Sequence, residues 1–137
     1  MIVFDTGPLV ALVDEDDDSH KRTLAWLESV RSAPAVIPAP VLGEAWYLIA
    51  RTCGPEAEAR FLQDLASGAY GEVVAPTAAD LSRSAELVIQ YQDFPLGGTD
   101  ACVIAMAERL HADQVATLDR RHFTVVRPRQ PFALPLT

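Results

Sequence analysis

With 137 residues, 50% of them hydrophobic, and a net charge of −8, the chain is expected to form a single domain over residues 1–137 with a core of its own. That acidity excludes passive binding of nucleic acid through a basic face, but not an enzyme that meets phosphate through bound divalent cations. No apolar run has membrane-spanning length, and Asp5 interrupts an N-terminus that lacks the basic region of a secretion signal, so no membrane association and a cytoplasmic location are expected.

Met1–Phe4 is a short apolar run of strand character, ending at Asp5. Thr6, Gly7 and Pro8 form a turn, with Pro8 suited to a first helical position and Leu9–Val13 continuing the helix. The acidic run Asp14–Asp18 lacks the alternating ligands and central Gly of an EF-hand loop, so it is expected to be a solvated loop, with Asp18 or Ser19 capping the next helix. Leu24, Leu27 and Val30 give the stretch from His20 to Val30 helical periodicity. A second strand, Ala35–Ile37, ends at Pro38. The helix from Ala39 to Arg51 follows, its apolar face marked by Leu42, Ala45, Trp46 and Ile49. Trp26, Trp46 and Tyr47 are assigned to the core.

Gly54 and Pro55 separate that helix from another over Glu56–Ala66. Glu72–Ala75 is a third strand, and Thr77 opens a helix to about Tyr91. Gly97 and Gly98 then break the chain, and Thr99 is a suitable N-cap for a helix with an apolar face of Val103, Ile104, Met106, Ala107 and Leu110. Cys102 falls inside it as a small buried residue; with Cys53 it makes too few cysteines for a disulfide framework or a metal motif. Val115–Leu118 is a fourth strand, Asp119 follows it directly, and Arg120–Phe123 turns. Val125 and Val126 suit an edge strand ahead of Pro128, Pro131 and Pro135.

Short apolar strands alternating with helices predict an α/β fold with a mainly parallel sheet. Crossovers through helices put every strand's carboxyl end on one rim. Asp5, Asp100 and Asp119 fall on that rim, as does Glu44, about a turn into its helix. Unit charges about 4 Å apart repel by on the order of 4 kcal/mol at an effective dielectric near 20. A fold that gathers four carboxylates therefore calls for a divalent cation or a cationic partner among them, or for some of them to be protonated. Oxygen ligands select Mg2+ or Mn2+ over zinc, and the matching chemistry is phosphodiester hydrolysis. Each acid also has a structural explanation: strand-end or helix capping for Asp5, the helix dipole for Asp100, a solvated helix face for Glu44, and capping of the next turn for Asp119. Thr6 and Thr99 neighbour two of these acids and are assigned supporting roles, orienting a carboxylate or a metal-bound water, although capping explains them equally well. His111 and His122 have no partner at metal-ligand spacing and are assigned to surface or turns. Arg120 and Arg121 are candidates for contacting RNA beside the site, with Arg127 and Arg129 further along; a generic solvated surface explains them as well.

Three stretches, IVFDTGPLVALVD, PAPVLGEAWYLI and GGTDACVIAMAERLHADQVATLDRRHF, make nearly the whole chain resemble PIN-domain ribonucleases, specifically the VapC toxins of toxin–antitoxin pairs. The resemblance implies a three-layer α/β/α fold, a metal-dependent endoribonuclease acting on RNA, and an acidic site at Asp5, Glu44, Asp100 and Asp119. It also implies a homodimer held inactive by a small cognate antitoxin. The family often has Asn or Ser where Gly7 stands. Two alternatives are a Mg2+-dependent phosphoryl-transfer domain of receiver or haloacid-dehalogenase type and a non-catalytic module on the same fold. The first wants a DxDxT run and a lysine after a late strand, whereas the only lysine here is Lys21. The second leaves four retained acids without a purpose.

Overall fold

The computed structural model describes residues 1–137. In chain order the elements are β1 (Ile2–Phe4), α1 (Thr6–Val13), α2 (His20–Ser29), β2 (Ala35–Pro38), α3 (Ala39–Cys53), α4 (Pro55–Ser67), β3 (Glu72–Val74), α5 (Ala78–Gln90), α6 (Gly98–Arg109), β4 (Gln114–Ala116) and α7 (Arg120–Phe123). The four strands form one parallel sheet in the order β3-β2-β1-β4, between helical layers. Val3 pairs with Val36 on one side and with Val115 on the other. The chain steps outward from β1 to β3, then returns to place β4 on β1's free side. The sheet therefore has its switch point between β1 and β4, where open α/β sheets leave a crevice beyond the strand ends.

Strands covered on both faces need continuous apolar runs, and β1 and most of β2 are buried throughout. Gly71 leads into β3 at φ +123°, and a Cβ there would come within 2.4 Å of the Ala35 carbonyl oxygen. Only glycine lets that edge strand close on β2. The helix α5 opens with a capping box: the Thr77 N–H donates to Asp80 Oδ2 at 2.8 Å and the Asp80 N–H to Thr77 Oγ1 at 3.1 Å.

Several expectations need correction. Helix α6 is not one-faced, because Ala101 through Glu108 are all buried. Packed against α5, α3 and the sheet, it is a core helix, as all-round apolar helices are. Its cap is Gly97, and Thr99 lies within the helix. Ser19 occupies the cap position of α2, but its side chain bonds no helix N–H and instead accepts from Arg22 at 3.3 Å. Trp46 and Tyr47 are exposed, at 38% and 61%, because α3 turns Val41, Leu42, Ala45 and Ile49 inward and these two fall outside that stripe. Trp26 is half-buried and meets Phe4 edge-on at 5.8 Å. Val125 and Val126 form no strand. With three prolines in the tail removing donors, sheet pairing narrows to one bridge of Ala133 with Gln114 beside β4. No helix is long and apolar enough to cross a membrane.

Candidate active site

The acids collect where β1 and β4 diverge. Asp5 directly follows β1 and is 5% exposed. Its N–H donates to the Ala116 carbonyl at 2.9 Å, which carries β1–β4 pairing one step beyond the strands. Its Oδ2 accepts the Thr117 hydroxyl at 2.7 Å, and that same hydroxyl oxygen accepts the Asp119 N–H at 3.0 Å. Thr117, fully buried, thus ties the first acid to the last. Strand β4 ends at Ala116, so Asp119 lies three residues past it rather than adjoining it.

Asp100 stands in the first turn of α6, and Asp119 caps α7 by accepting the His122 N–H at 2.9 Å. The donor atoms of Asp100, Asp119 and His122 all lie within 4.8 Å of one another. Glu44 is exposed on α3, with its Oε2 accepting the Thr6 hydroxyl at 3.2 Å, a bond that joins the start of α1 to α3. Thr99 makes no such bond; it helps line an apolar hollow of about 610 Å3 with Pro40, Leu81, Val88, Ile89 and Cys102. Gly7 faces Leu118, with a Cβ placed 3.3 Å from the leucine Cβ, so a larger residue there must push the β4–α7 link.

The electrostatics follow from burial. The Asp5 carboxyl is pushed up to about 6, first by burial and further by Asp100 and Glu44, against the Thr117 hydroxyl and Thr6 N–H that pull it down. Burial, then Asp119 and Glu44, also raise Asp100, with His122 and the Gly97 N–H opposing. For Asp119 burial is the largest influence and acts upward, but the N–H and imidazole of His122 together outweigh it and hold the carboxyl below its ordinary value. No lysine or arginine forms an ion pair with any of the four acids; the arginines near them are paired elsewhere or free. Four carboxylates, one of them buried, with His122 the one basic side chain paired to any of them, suit a hard divalent metal. The donors are oxygens, with His122 the one nitrogen.

Three contributors escape a reading of the sequence. Thr117 and His122 carry a faint signal in their spacing from Asp119, two residues before and three after. Phe94, which packs on the His122 ring at 5.3 Å, carries none. His122 is no bland turn residue: it makes two bonds to one acid.

Carboxylates gathered at the switch point of a parallel sheet, with His122 the one basic side chain paired to them, suit divalent-metal chemistry on phosphate. A family model for the PIN domain matches residues 2–127. Ribonuclease VapC26 of Mycobacterium tuberculosis is 36% identical over 128 residues, spanning 93% of each chain. Among solved structures, the sarcin–ricin loop cleaving toxin VapC20 of Mycobacterium tuberculosis superposes with a TM-score of 0.81 at 20% identity, over 96% of this chain and 98% of its own. VapBC2 of Rickettsia felis, bound to a promoter DNA fragment, superposes at 0.69 and 19% identity, over 92% and 93%. These two likenesses speak for the fold. The chain belongs to the PIN-domain family of metal-dependent nucleases and is related to the VapC ribonucleases.

Proposed function

We propose that this chain is a Mg2+- or Mn2+-dependent endoribonuclease, the toxin of a toxin–antitoxin pair, with its working site at Asp5, Glu44, Asp100 and Asp119. The observation that carries this reading is Asp5, joined through Thr117 to Asp119 and raised first by its burial and then by Asp100 and Glu44. Asp5, Asp100 and Asp119 hold the metal, and Glu44, exposed and steadied by Thr6, is a further ligand or a base acting through water. A metal held there would supply an activated water and charge stabilisation for the departing oxygen of the phosphodiester. The chain's own part is to hold the carboxylates against their mutual repulsion and to bring phosphate alongside. Arg120 and Arg121 are exposed, next to Asp119, and free of carboxylate partners, which suits them to RNA phosphates on that flank. Arg121 is held in place, its Cζ 5.3 Å from the centre of the Phe94 ring.

The partners are a cognate antitoxin and a second copy of the chain. The structural neighbours include toxin–antitoxin assemblies such as VapBC2, which supports the first. The exposed Leu81 and Ile89 on α5, beside the apolar hollow, support the second. A dimer by light scattering is expected. A cytoplasmic location accords with an RNA substrate. Cleavage of RNA by the purified chain in Mn2+, lost in chelator, tests the whole reading.

A further inference from the structure

Asp119 sits on a short helix rather than on the sheet, and it faces another acid, Asp100. Before a metal arrives, like charge pushes the two apart, so the bonds made to the Asp119 carboxylate set its rotation. Its Oδ1 is taken by the His122 N–H at 2.9 Å, a capping bond that any residue except proline can supply at position 122. Its Oδ2 lies 2.6 Å from His122 Nδ1, a bond that needs this side chain. A carboxylate oxygen at that distance accepts from the ring nitrogen, so the hydrogen of the pair lies on Nδ1.

The imidazole is itself held. Phe94, in the loop between α5 and α6, packs against it with ring centres 5.3 Å apart and planes inclined by 54°. Arg121 covers the Phe94 ring. The Tyr91 hydroxyl accepts the Arg127 N–H at 2.9 Å, which fastens the same loop to the segment after α7. These contacts leave the ring little freedom to release Asp119.

We propose that His122 is a positioning residue of the nuclease site: its Nδ1–H fixes the rotation of the Asp119 carboxylate toward Asp100, with Phe94 setting the plane of the imidazole. The proposal rests on the four-acid nuclease reading. It also separates two parts of the DRRHF turn, since the capping bond survives loss of the side chain and the Oδ2 bond does not. Outer-shell partners of this kind are worth about 10–100-fold in metal affinity or activity.

The test titrates Mn2+ into the full chain by calorimetry and follows Mn2+-dependent RNA cleavage, for wild type, His122→Ala, His122→Asn and His122→Gln. Asparagine places an N–H near Nδ1, whereas glutamine places it near Nε2. His122→Ala is expected to bind Mn2+ about 10–100-fold more weakly, with cleavage reduced alike and melting in chelator nearly unchanged. His122→Asn should recover most of the loss, and His122→Gln should behave like alanine. Wild-type affinity in His122→Ala, or no recovery by His122→Asn, overturns the proposal alone. A wild-type chain that binds no Mn2+ overturns the nuclease reading and this proposal with it. If His122→Ala does not fold, the imidazole 15N spectrum of the wild type decides. A hydrogen on Nδ1 that Asp119→Asn releases supports the role, and a hydrogen confined to Nε2 overturns it.

Discussion

The Thr117 hydroxyl donates to Asp5 at 2.7 Å across 112 residues of sequence, and its oxygen receives the Asp119 N–H at 3.0 Å. One buried side chain thereby sets the spacing of two acids at the sheet's switch point. Thr117→Val keeps the volume and removes both bonds, leaving Asp5 without its donor and a backbone N–H without its acceptor. We expect a loss of about 1–3 kcal/mol in stability and a large fall in Mn2+ affinity, with Thr117→Ser close to wild type. Denaturant titration and calorimetry measure the two effects.

Asp5 is a site where function opposes stability. Its carboxyl moves from 3.8 to about 6 on folding. Below about pH 4 both states hold the proton, and Asp5 costs nothing. As pH rises toward 6 the unfolded chain loses the proton while the folded chain keeps it, so stability falls. The full penalty, up to about 3 kcal/mol, is present above pH 6 in metal-free protein. Asp5→Asn should therefore melt higher than wild type at pH 7 in chelator and lose this advantage at pH 4, while losing cleavage at every pH. Equal melting of the two proteins at pH 7 would contradict the assigned burial penalty.

A second acid-dependent element lies away from the site. Glu108 accepts Arg83 through two bonds, at 2.9 and 3.0 Å, and the Arg129 N–H at 2.8 Å, so it joins α6, α5 and the tail. Burial pushes its carboxyl up, but these donors outweigh burial and hold it below 4.5. Asp80 behaves likewise, burial opposing and Arg109 with Thr77 prevailing, below 3.8. Both groups are lowered on folding, so their contribution is present above these ordinary values and is lost as pH falls through the folded ones. Glu108→Ala leaves the largely buried Arg83 with Glu86 alone and frees the Arg129 N–H, and should cost about 1–3 kcal/mol, with a shallower acid limb in the melting profile.

Inhibition by the cognate antitoxin is expected to place an arginine among the four acids. A guanidinium stays charged and binds carboxylates through paired hydrogen bonds, relieving the repulsion a metal would otherwise relieve. Association should then weaken with salt in part, and replacing that arginine by alanine should restore RNA cleavage in the complex more than it weakens binding. An antitoxin that leaves Mn2+ affinity unchanged would show that inhibition takes another route.

Much of the site is legible in the sequence because chain order decides it. Asp5 follows an apolar run, Asp100 follows a glycine pair ahead of a helix, and Asp119 follows a short strand, so parallel topology alone carries them to one rim. Thr117 and His122 were out of reach because their roles depend on partners across the β1–β4 gap and on the ring of Phe94. Trp46 and Tyr47 misled because aromatic residues next to an apolar stripe resemble part of it, and only the helix's rotation against the sheet separates them. Val125 and Val126 have strand-like side chains, but pairing in a proline-rich tail depends on which N–H groups remain, and Ala133 makes the bridge. The apolar residues of α6 imply one buried face; that its far side is also covered depends on how closely α5 packs.

The central claim is that these acids hold a metal that cleaves RNA, and Asp100→Asn tests it most directly. Asp100 lies beside Asp119 on a helix of its own, and Asn keeps an oxygen for the Gly97 N–H, so the substitution removes charge with little change of shape. With purified chain, a structured RNA and Mn2+, wild type should produce new RNA ends that chelator abolishes. Asp100→Asn should fold and dimerise as wild type does while losing at least about 100-fold in cleavage rate, the scale of removing a charge-stabilising group. Cleavage by Asp100→Asn at the wild-type rate, or by wild type undiminished in chelator, would contradict the account.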